Sequence, residues 1–294
     1  MHERYYQLLK DLRLVEVFRE AANLSEEQLK RTQSMFEIGS VSQGDVFRAK
    51  TTFGTDKISL IQQENAVKNS RAALNVALGR AADAPLEIAD FAEVEVPRTY
   101  EMNQVMQTAV QNNPNLKRYE ASMSAASYGV KVGKAQYLPS VNFSASYRRS
   151  DQEASKVYSD LDKNFTASIG LGVDLNLFNG FADKARVDRE AANYHIAREN
   201  MIEQERLIGQ QVQQALLALE AWSEISAINN DNLVSAQEDL RLAQERYRVG
   251  AGTLLDIITA QTSLTRAKST LIRAKYDARI SEAQLKEAMG TLGK

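Results

Sequence analysis

YRVGAGTLLDIITAQT, residues 247–262, has a counterpart in the same chain: FEIGSVSQGDVFRAKT, residues 36–51, lies 211 positions earlier. Gly39 falls on Gly250, Asp45 on Asp256, Ala49 on Ala260 and Thr51 on Thr262. The frame continues without a gap to Leu74 on Leu285, Ala77 on Ala288 and Gly79 on Gly290. An ungapped match of that length is a duplication, and a duplication organises a fold before any single motif does. Both copies carry the same punctuation: an apolar residue, a Gly, a small residue, then Ser42 or Thr253 as the N-cap of the next helix. Each copy therefore reads as two antiparallel helices meeting at a tight glycine turn. VGAGT is not a phosphate loop, because it lacks the Lys and the preceding strand that such a loop needs.

Downstream of each turn the apolar residues repeat every seven positions. Ile257, Leu264, Leu271, Ala278 and Leu285 form one row in the second copy, and Ala260, Ala267, Ala274, Ser281 and Ala288 fill the other. Val46, Phe53, Leu60, Val67 and Leu74 keep the same spacing in the first copy, where Asp56 and Gln63 make the second row more polar. A 3.5-residue repeat predicts coiled-coil packing, and a row of Ala and Ser lets backbones approach closely. Upstream of the second turn, Ala182 to Arg248 contains no Pro and a single Gly, Gly209. That predicts a rod on the order of 100 Å, with Leu233, Ala236, Leu240, Ala243 and Tyr247 on its seam.

Composition agrees with long helices and excludes several functions. The 294 residues include only 4 Pro and 14 Gly, and 25% are charged. A formal net charge of −2 argues against a general nucleic-acid binder, which needs concentrated positive charge. With no cysteine there is no disulfide framework and no thiolate chemistry. The two histidines, His2 at the terminus and His195 in NYHIAREN, have no partner motif for a metal site or a catalytic triad. No paired carboxylates, nucleophile–base pair or cofactor loop suggests an enzyme, and no cofactor or metal is expected. MHERYYQLLKDLRLVEVF (1–18) is too charged for a signal peptide, and no run of about 18 apolar residues offers a membrane helix.

One island breaks the helical pattern. After YLP (137–139), SVNFSASYRRS (140–150) alternates apolar and polar residues, and so does FTASIGLGVDLNLF (165–178) beyond a polar loop at 150–164. Phe165, Ala167, Ile169, Leu171, Val173, Leu175 and Leu177 share one face; Thr166, Ser168, Gly170, Gly172, Asp174 and Asn176 share the other. Strands of about ten residues with an apolar and a small or polar face fit a transmembrane β-barrel, with Tyr137, Tyr147 and Phe178 near the strand ends as a girdle. A two-stranded sheet cannot stand alone in lipid, because its edges are unsatisfied, so membrane insertion predicts an oligomer. The other reading is a soluble coiled-coil scaffold with a hairpin attached, which explains the heptads but not the strand faces.

RYRVGAGTLLDIITAQTSLTRAK (246–268), FEIGSVSQGDVFRAK (36–50), NNPNLKRYEASMSAASYGVKVGKAQYLPSV (112–141) and LNLFNGFADKA (175–185) together resemble the TolC-like outer-membrane efflux proteins. The resemblance implies a mainly α fold: long antiparallel coiled-coil helices in two repeated helix–turn–helix units, with one transmembrane-type β-hairpin contributing to a trimeric β-barrel. Its implied segments are a first-repeat periplasmic coiled coil (1–78), an irregular equatorial segment (79–102), a helix leading to the barrel (103–138), the barrel hairpin (139–178) and a second-repeat periplasmic coiled coil (179–294). It also implies a homotrimer whose twelve strands cross the outer membrane and whose helices form a tunnel through the periplasm. Such a duct does no chemistry. It is a gated conduit for drugs or secreted substrates, docked to a periplasmic adaptor (membrane fusion) protein and, through it, to an inner-membrane transporter.

Residue by residue, the resemblance assigns adaptor contact to Ile38, Gly39 and Ser40 and to Val249, Gly250 and Ala251. It puts the pore constriction at Asp256 and Thr259, and a gate latch at Asp45 and Tyr247. Two departures stand out: Thr259 occupies the position of a second acidic ring residue, and Gly252 that of an Arg that helps the latch. The usual Pro before Phe after the strand is also absent, with Asn176-Leu177-Phe178 in its place. The family carries two hairpins and this chain one, and the repeat places the other upstream of Met1. The expectation is an N-terminally truncated member, missing a signal peptide, the first hairpin and most of one long helix; a trimer of this chain supplies six strands, too few for the family's barrel. Drug efflux and protein secretion are not separated by these residues.

Overall fold

Helix boundaries in the duplicated region are set by caps that the two copies share. In the computed structural model, which describes residues 1–88, 100–150 and 165–292, α1 (His2–Glu37) and α2 (Gln43–Ala77) flank the first turn. α5 (Ala182–Arg248) and α6 (Leu254–Ala288) flank the second. Ser42 and Thr253 each close a capping box with the Asp three residues on, Asp45 and Asp256. A cap of this kind contributes about 1 kcal/mol and satisfies two orphan donors. The preceding helices end alike: Gly39 N–H donates to Phe36 O and Ser40 N–H to Met35 O, while Gly250 N–H donates to Tyr247 O and Ala251 N–H to Arg246 O. Both glycines stand at φ +76°, the left-handed conformation that this Schellman pattern requires.

The chain divides into two compact units, one of residues 1–113 with 207–294 and one of residues 114–206. In the first, α1 packs against both α2 and α6. Leu8, Val15, Val67 and Leu74 form the α1–α2 core, with Leu12, Leu60, Leu86 and Ile88 against it. Both predicted rows of α6 are buried, from Ile257 and Ala260 to Leu285 and Ala288. Each buried Leu or Ile in such a seam contributes about 1.5–3 kcal/mol. The more polar first copy also behaves as its sequence suggests. Gln63 Nε2 donates to the backbone O and to Oδ1 of the buried Asp11, both at 3.2 Å. Burial pushes the Asp56 carboxyl up, partly offset by a hydrogen bond with Ser25.

Ion pairs staple the helices along the edges of these seams. Lys10 Nζ lies 2.7 Å from Asp277 and Lys268 Nζ 2.7 Å from Glu20, both joining α1 to α6, and Arg19 lies 3.2 Å from Glu64 on α2. The region expected to be irregular, 79–102, is described only in part, and 89–99 lie outside the described residues. The chain just beyond α2 is pinned by the buried Asn75, whose Nδ2 donates to the carbonyls of Ala82 and Ala84. Further along, Tyr100 donates to Glu282 Oε1 at 3.0 Å. The 103–138 stretch is two helices, α3 (Met102–Asn112) and α4 (Pro114–Ala135). They part at Asn113-Pro114, where Pro removes a donor and biases the preceding residue away from helix. Asn113 Nδ2 donates to Ala288 O at 2.8 Å, and Gly290 comes so close to Asn112 that a Cβ there would stand 2.6 Å from its carbonyl oxygen.

The second unit holds α4, the first part of α5, β1 (Ser140–Arg149) and β2 (Phe165–Asp174). The strands pair antiparallel, Ser140 opposite Asp174 and Arg149 opposite Phe165. The polar loop at 150–164 falls, apart from Ser150, outside the described residues. On α4, a Cβ added at Gly133 would lie 3.5 Å from Val187 Cγ2 of α5, ordinary van der Waals contact.

Candidate functional site

The two glycine turns carry every residue assigned to docking, constriction and latching. At the first, Ile38 is 80% exposed; at the second, Val249 is 70% exposed. Gly39, Ser40, Gly250 and Ala251 are exposed beside them. The Schellman bonds engage carbonyls of the last helical turn, so each turn presents an exposed apolar side chain beside a closed glycine backbone.

Asp256 sits on the first turn of α6 and is exposed. Thr253 N and Oγ1 donate to its Oδ2 at 2.7 and 2.8 Å, and its own N–H donates back to Thr253 Oγ1 at 3.2 Å. These hydrogen bonds from Thr253, with Arg246 nearby, hold its carboxyl below the usual value. The charge is therefore firmly ionised near neutral pH, and the capping role and a role toward solvent coexist. Thr259, one turn on, is likewise exposed.

Asp45 mirrors Asp256: Ser42 N and Oγ donate to its Oδ2 at 3.2 and 2.7 Å. Tyr247 packs with Leu240 against Ala243, Ile257 and Ala260. Its hydroxyl donates to Met35 Sδ at 3.6 Å, on the last turn of α1. Within one chain, then, Tyr247 links the two turns through Met35, and the Asp45 carboxylate is engaged by Ser42. Gly252 lies against the end of α5: a Cβ there would be 3.0 Å from Arg246 Cβ and 3.1 Å from Tyr247 N, so a longer side chain displaces that end.

Met35 and the α1–α6 ion pairs are functional candidates that sequence patterns did not single out. A signal for the ion pairs was present, since Lys268 and Asp277 directly flank the seam residues Ala267 and Ala278, where coiled coils place their partner-setting charges. Glu282 was also missed. It is buried, and Tyr100, Arg279 and Lys286 converge on it at 3.0, 2.8 and 2.7 Å.

In the other unit, the β1–β2 sheet exposes a whole apolar face: Val141, Phe143, Ile169, Leu171 and Val173 are each 64–80% exposed. The opposite face is small or polar, with Ser146 Oγ 2.8 Å from Ser168 Oγ and Asn142 Nδ2 donating to Asp174 Oδ2 at 3.3 Å. Tyr147 and Phe165 stack at 5.6 Å near one end. His195 is exposed on α5 beside Tyr194. Among the described residues no helix is long and apolar enough to cross a membrane.

Known proteins resemble this chain in sequence and in fold. The outer membrane efflux protein BepC of Brucella suis is 26% identical over 289 residues, covering 98% of this chain and 62% of that protein. The outer membrane protein TolC of Escherichia coli is 26% identical over 278 residues, covering 90% and 55%. The chain thus spans about three-fifths of the length of these curated relatives. Among solved structures, the outer membrane protein VceC of Vibrio cholerae superposes with a TM-score of 0.80 at 19% identity, covering 98% of this chain and 68% of that one. The Campylobacter jejuni CmeC outer membrane channel gives 0.80 at 17%, covering 99% and 61%. These structures share the fold. The model of the family described as outer membrane efflux protein matches residues 105–291, most of the chain. The chain belongs to the outer membrane efflux protein family.

Proposed function

We propose that the protein is the outer-membrane exit duct of a tripartite efflux or type I secretion system: a passive, gated conduit rather than an enzyme. The observation that carries this reading is the hairpin. Its ten-residue strands present a fully exposed apolar face, and among the described residues the sheet has only two strands. Apolar area of that kind is unfavourable in water, and open edges are unfavourable in lipid. Closure into a shared barrel with further strands answers both, and the working form is the twelve-stranded homotrimer that the family resemblance implies. Residues 139–178 anchor it in the outer membrane, and 1–78 with 179–294 extend into the periplasm as coiled coils. Residues 79–102 make an equatorial segment, and 103–138 lead to the barrel.

At the turns, Ile38, Gly39 and Ser40, with Val249, Gly250 and Ala251, meet a periplasmic adaptor, which connects the duct to an inner-membrane transporter. Asp256 and Thr259 line the constriction. Asp45 and Tyr247 latch neighbouring coils, a role supported by the bridge that Tyr247 already makes between the two turns through Met35.

The test is to express the full-length gene product, fractionate membranes and reconstitute it in planar bilayers. An outer-membrane, detergent-requiring trimer with discrete conductance steps is expected. A monomer that stays in buffer without detergent overturns the reading.

A further inference from the structure

The hairpin register puts two opposite charges on one face, at its two ends. Asp174 stands opposite Ser140, and Arg148 stands opposite Thr166. Directly paired residues share a face, so Asp174 and Arg148 lie with Asn142, Ser144, Ser146, Ser168, Gly170 and Gly172 on the small, polar side. The hydrogen bonds Asn142–Asp174 and Ser146–Ser168 run across that side. Arg148 lies eight positions beyond Ser140, about 26 Å along the strand and, at a barrel's usual tilt of about 40°, about 20 Å along its axis, most of the height of the lipid-facing band. Among the described strand residues, no other charge shares the face. Arg149 falls on the opposite side, paired with Phe165. Between them the face carries only Ser, Gly and Asn142, and Asn142 donates to Asp174.

We propose that Asp174 and Arg148 set an axial charge gradient in the barrel lumen. A ring of Asp174 where the strands meet the helices favours cations, and a ring of Arg148 at the outer mouth favours anions. The inference rests on the barrel reading above, with the apolar face toward lipid. In the twelve-stranded trimer, this hairpin gives each ring one charge per copy. Three charges about 10 Å from an axis, screened by roughly one Debye length at 0.1 M salt, enrich the opposite ion about twofold. At 0.01 M salt the same ring enriches it about fourfold, because the screening length triples. The channel is therefore mildly rectifying, and its ion preference depends on which side is dilute.

The experiment is planar-bilayer recording of the full-length gene product in KCl gradients applied from either side. Asp174→Asn is expected to lower the cation preference about twofold with the helix side dilute, and Arg148→Gln to raise it with the mouth side dilute. Because the chain has no cysteine, Asp174→Cys and Arg148→Cys provide a second measurement on a single background. An anionic thiosulfonate restores the cation preference at position 174, and a cationic one restores the original behaviour at 148. Intact conductance steps with unchanged reversal potentials, or cysteines that water-soluble reagents never reach, overturn the gradient alone. Absence of any conductance step in the unsubstituted protein overturns the barrel reading, and the gradient falls with it.

Discussion

Three glycines with nearly the same left-handed φ are expected to respond very differently to alanine. Gly39 and Gly250 stand at φ +76° and Gly290 at +66°. A Cβ at Gly39 or Gly250 would meet nothing within 4 Å. Substitution there costs only the left-handed backbone, about 1–2 kcal/mol. At Gly290 the same backbone cost applies, but a Cβ would also lie 2.6 Å from Asn112 O and 2.9 Å from Asn113 Cα. Relief requires that backbone to retreat by about 0.8 Å to reach ordinary van der Waals contact. The retreat pulls on the 2.8 Å hydrogen bond from Asn113 Nδ2 to Ala288 O. Losing a buried bond of this kind adds about 1–3 kcal/mol. Gly290→Ala should therefore be worse than Gly39→Ala or Gly250→Ala by about 2 kcal/mol, or roughly 4–8 °C in Tm. Circular dichroism melts of the detergent-solubilised protein, all three variants in one buffer, measure the difference. Equal melting shifts for the three would refute the close approach at Gly290 and, with it, the packing of the α3–α4 break on the end of α6.

The remaining predictions concern charge. Burial raises the Glu282 carboxyl, but hydrogen bonds from Lys286, Arg279 and Tyr100 together carry it below its ordinary 4.5. Its stabilisation is thus present above pH 4.5 and lost as pH falls through the lowered value. Glu282→Gln should flatten the acid side of a stability–pH curve; an unchanged acid limb refutes the cluster. Lys10 and Asp277 are 14% and 22% exposed at their side chains, Lys268 and Glu20 26% and 53%. A double-mutant cycle should assign about 2 kcal/mol to the first pair and under about 1 kcal/mol to the second, and the reverse order contradicts the burial argument. Asp256→Ala should raise the divalent-cation concentration needed to block the channel in bilayers, and unaltered block removes Asp256 from the constriction.

Much of this molecule is readable along the chain because its cues are local. The capping boxes of Ser42–Asp45 and Thr253–Asp256 and the glycine ends each involve residues within one or two turns. Their geometry is settled by hydrogen bonds that neighbours in sequence can form. The duplication at 211 positions doubles each cue, and strand alternation depends only on the pleat. The partners of Tyr247 and Glu282 were not readable in this way. Met35 lies 212 residues from Tyr247, and Tyr100 lies 182 from Glu282, so no spacing rule connects them.

By itself, the sequence determined the two helix pairs with their glycine turns, the inward rows of α6 and which strand face is apolar. All of these come from periods of 2 and 3.5 residues and from short-range capping. Only the tertiary structure decided that α1 packs on both α2 and α6, that Lys10 finds Asp277, and that Gly290 must stay small. It also decided that Asp174 and Arg148 occupy opposite ends of one face, since that rests on strand register. A heptad row says that a helix needs a partner, but many rows offer the same apolar chemistry. The choice among them is made by side-chain fit and charge pairing across distances that no local pattern encodes.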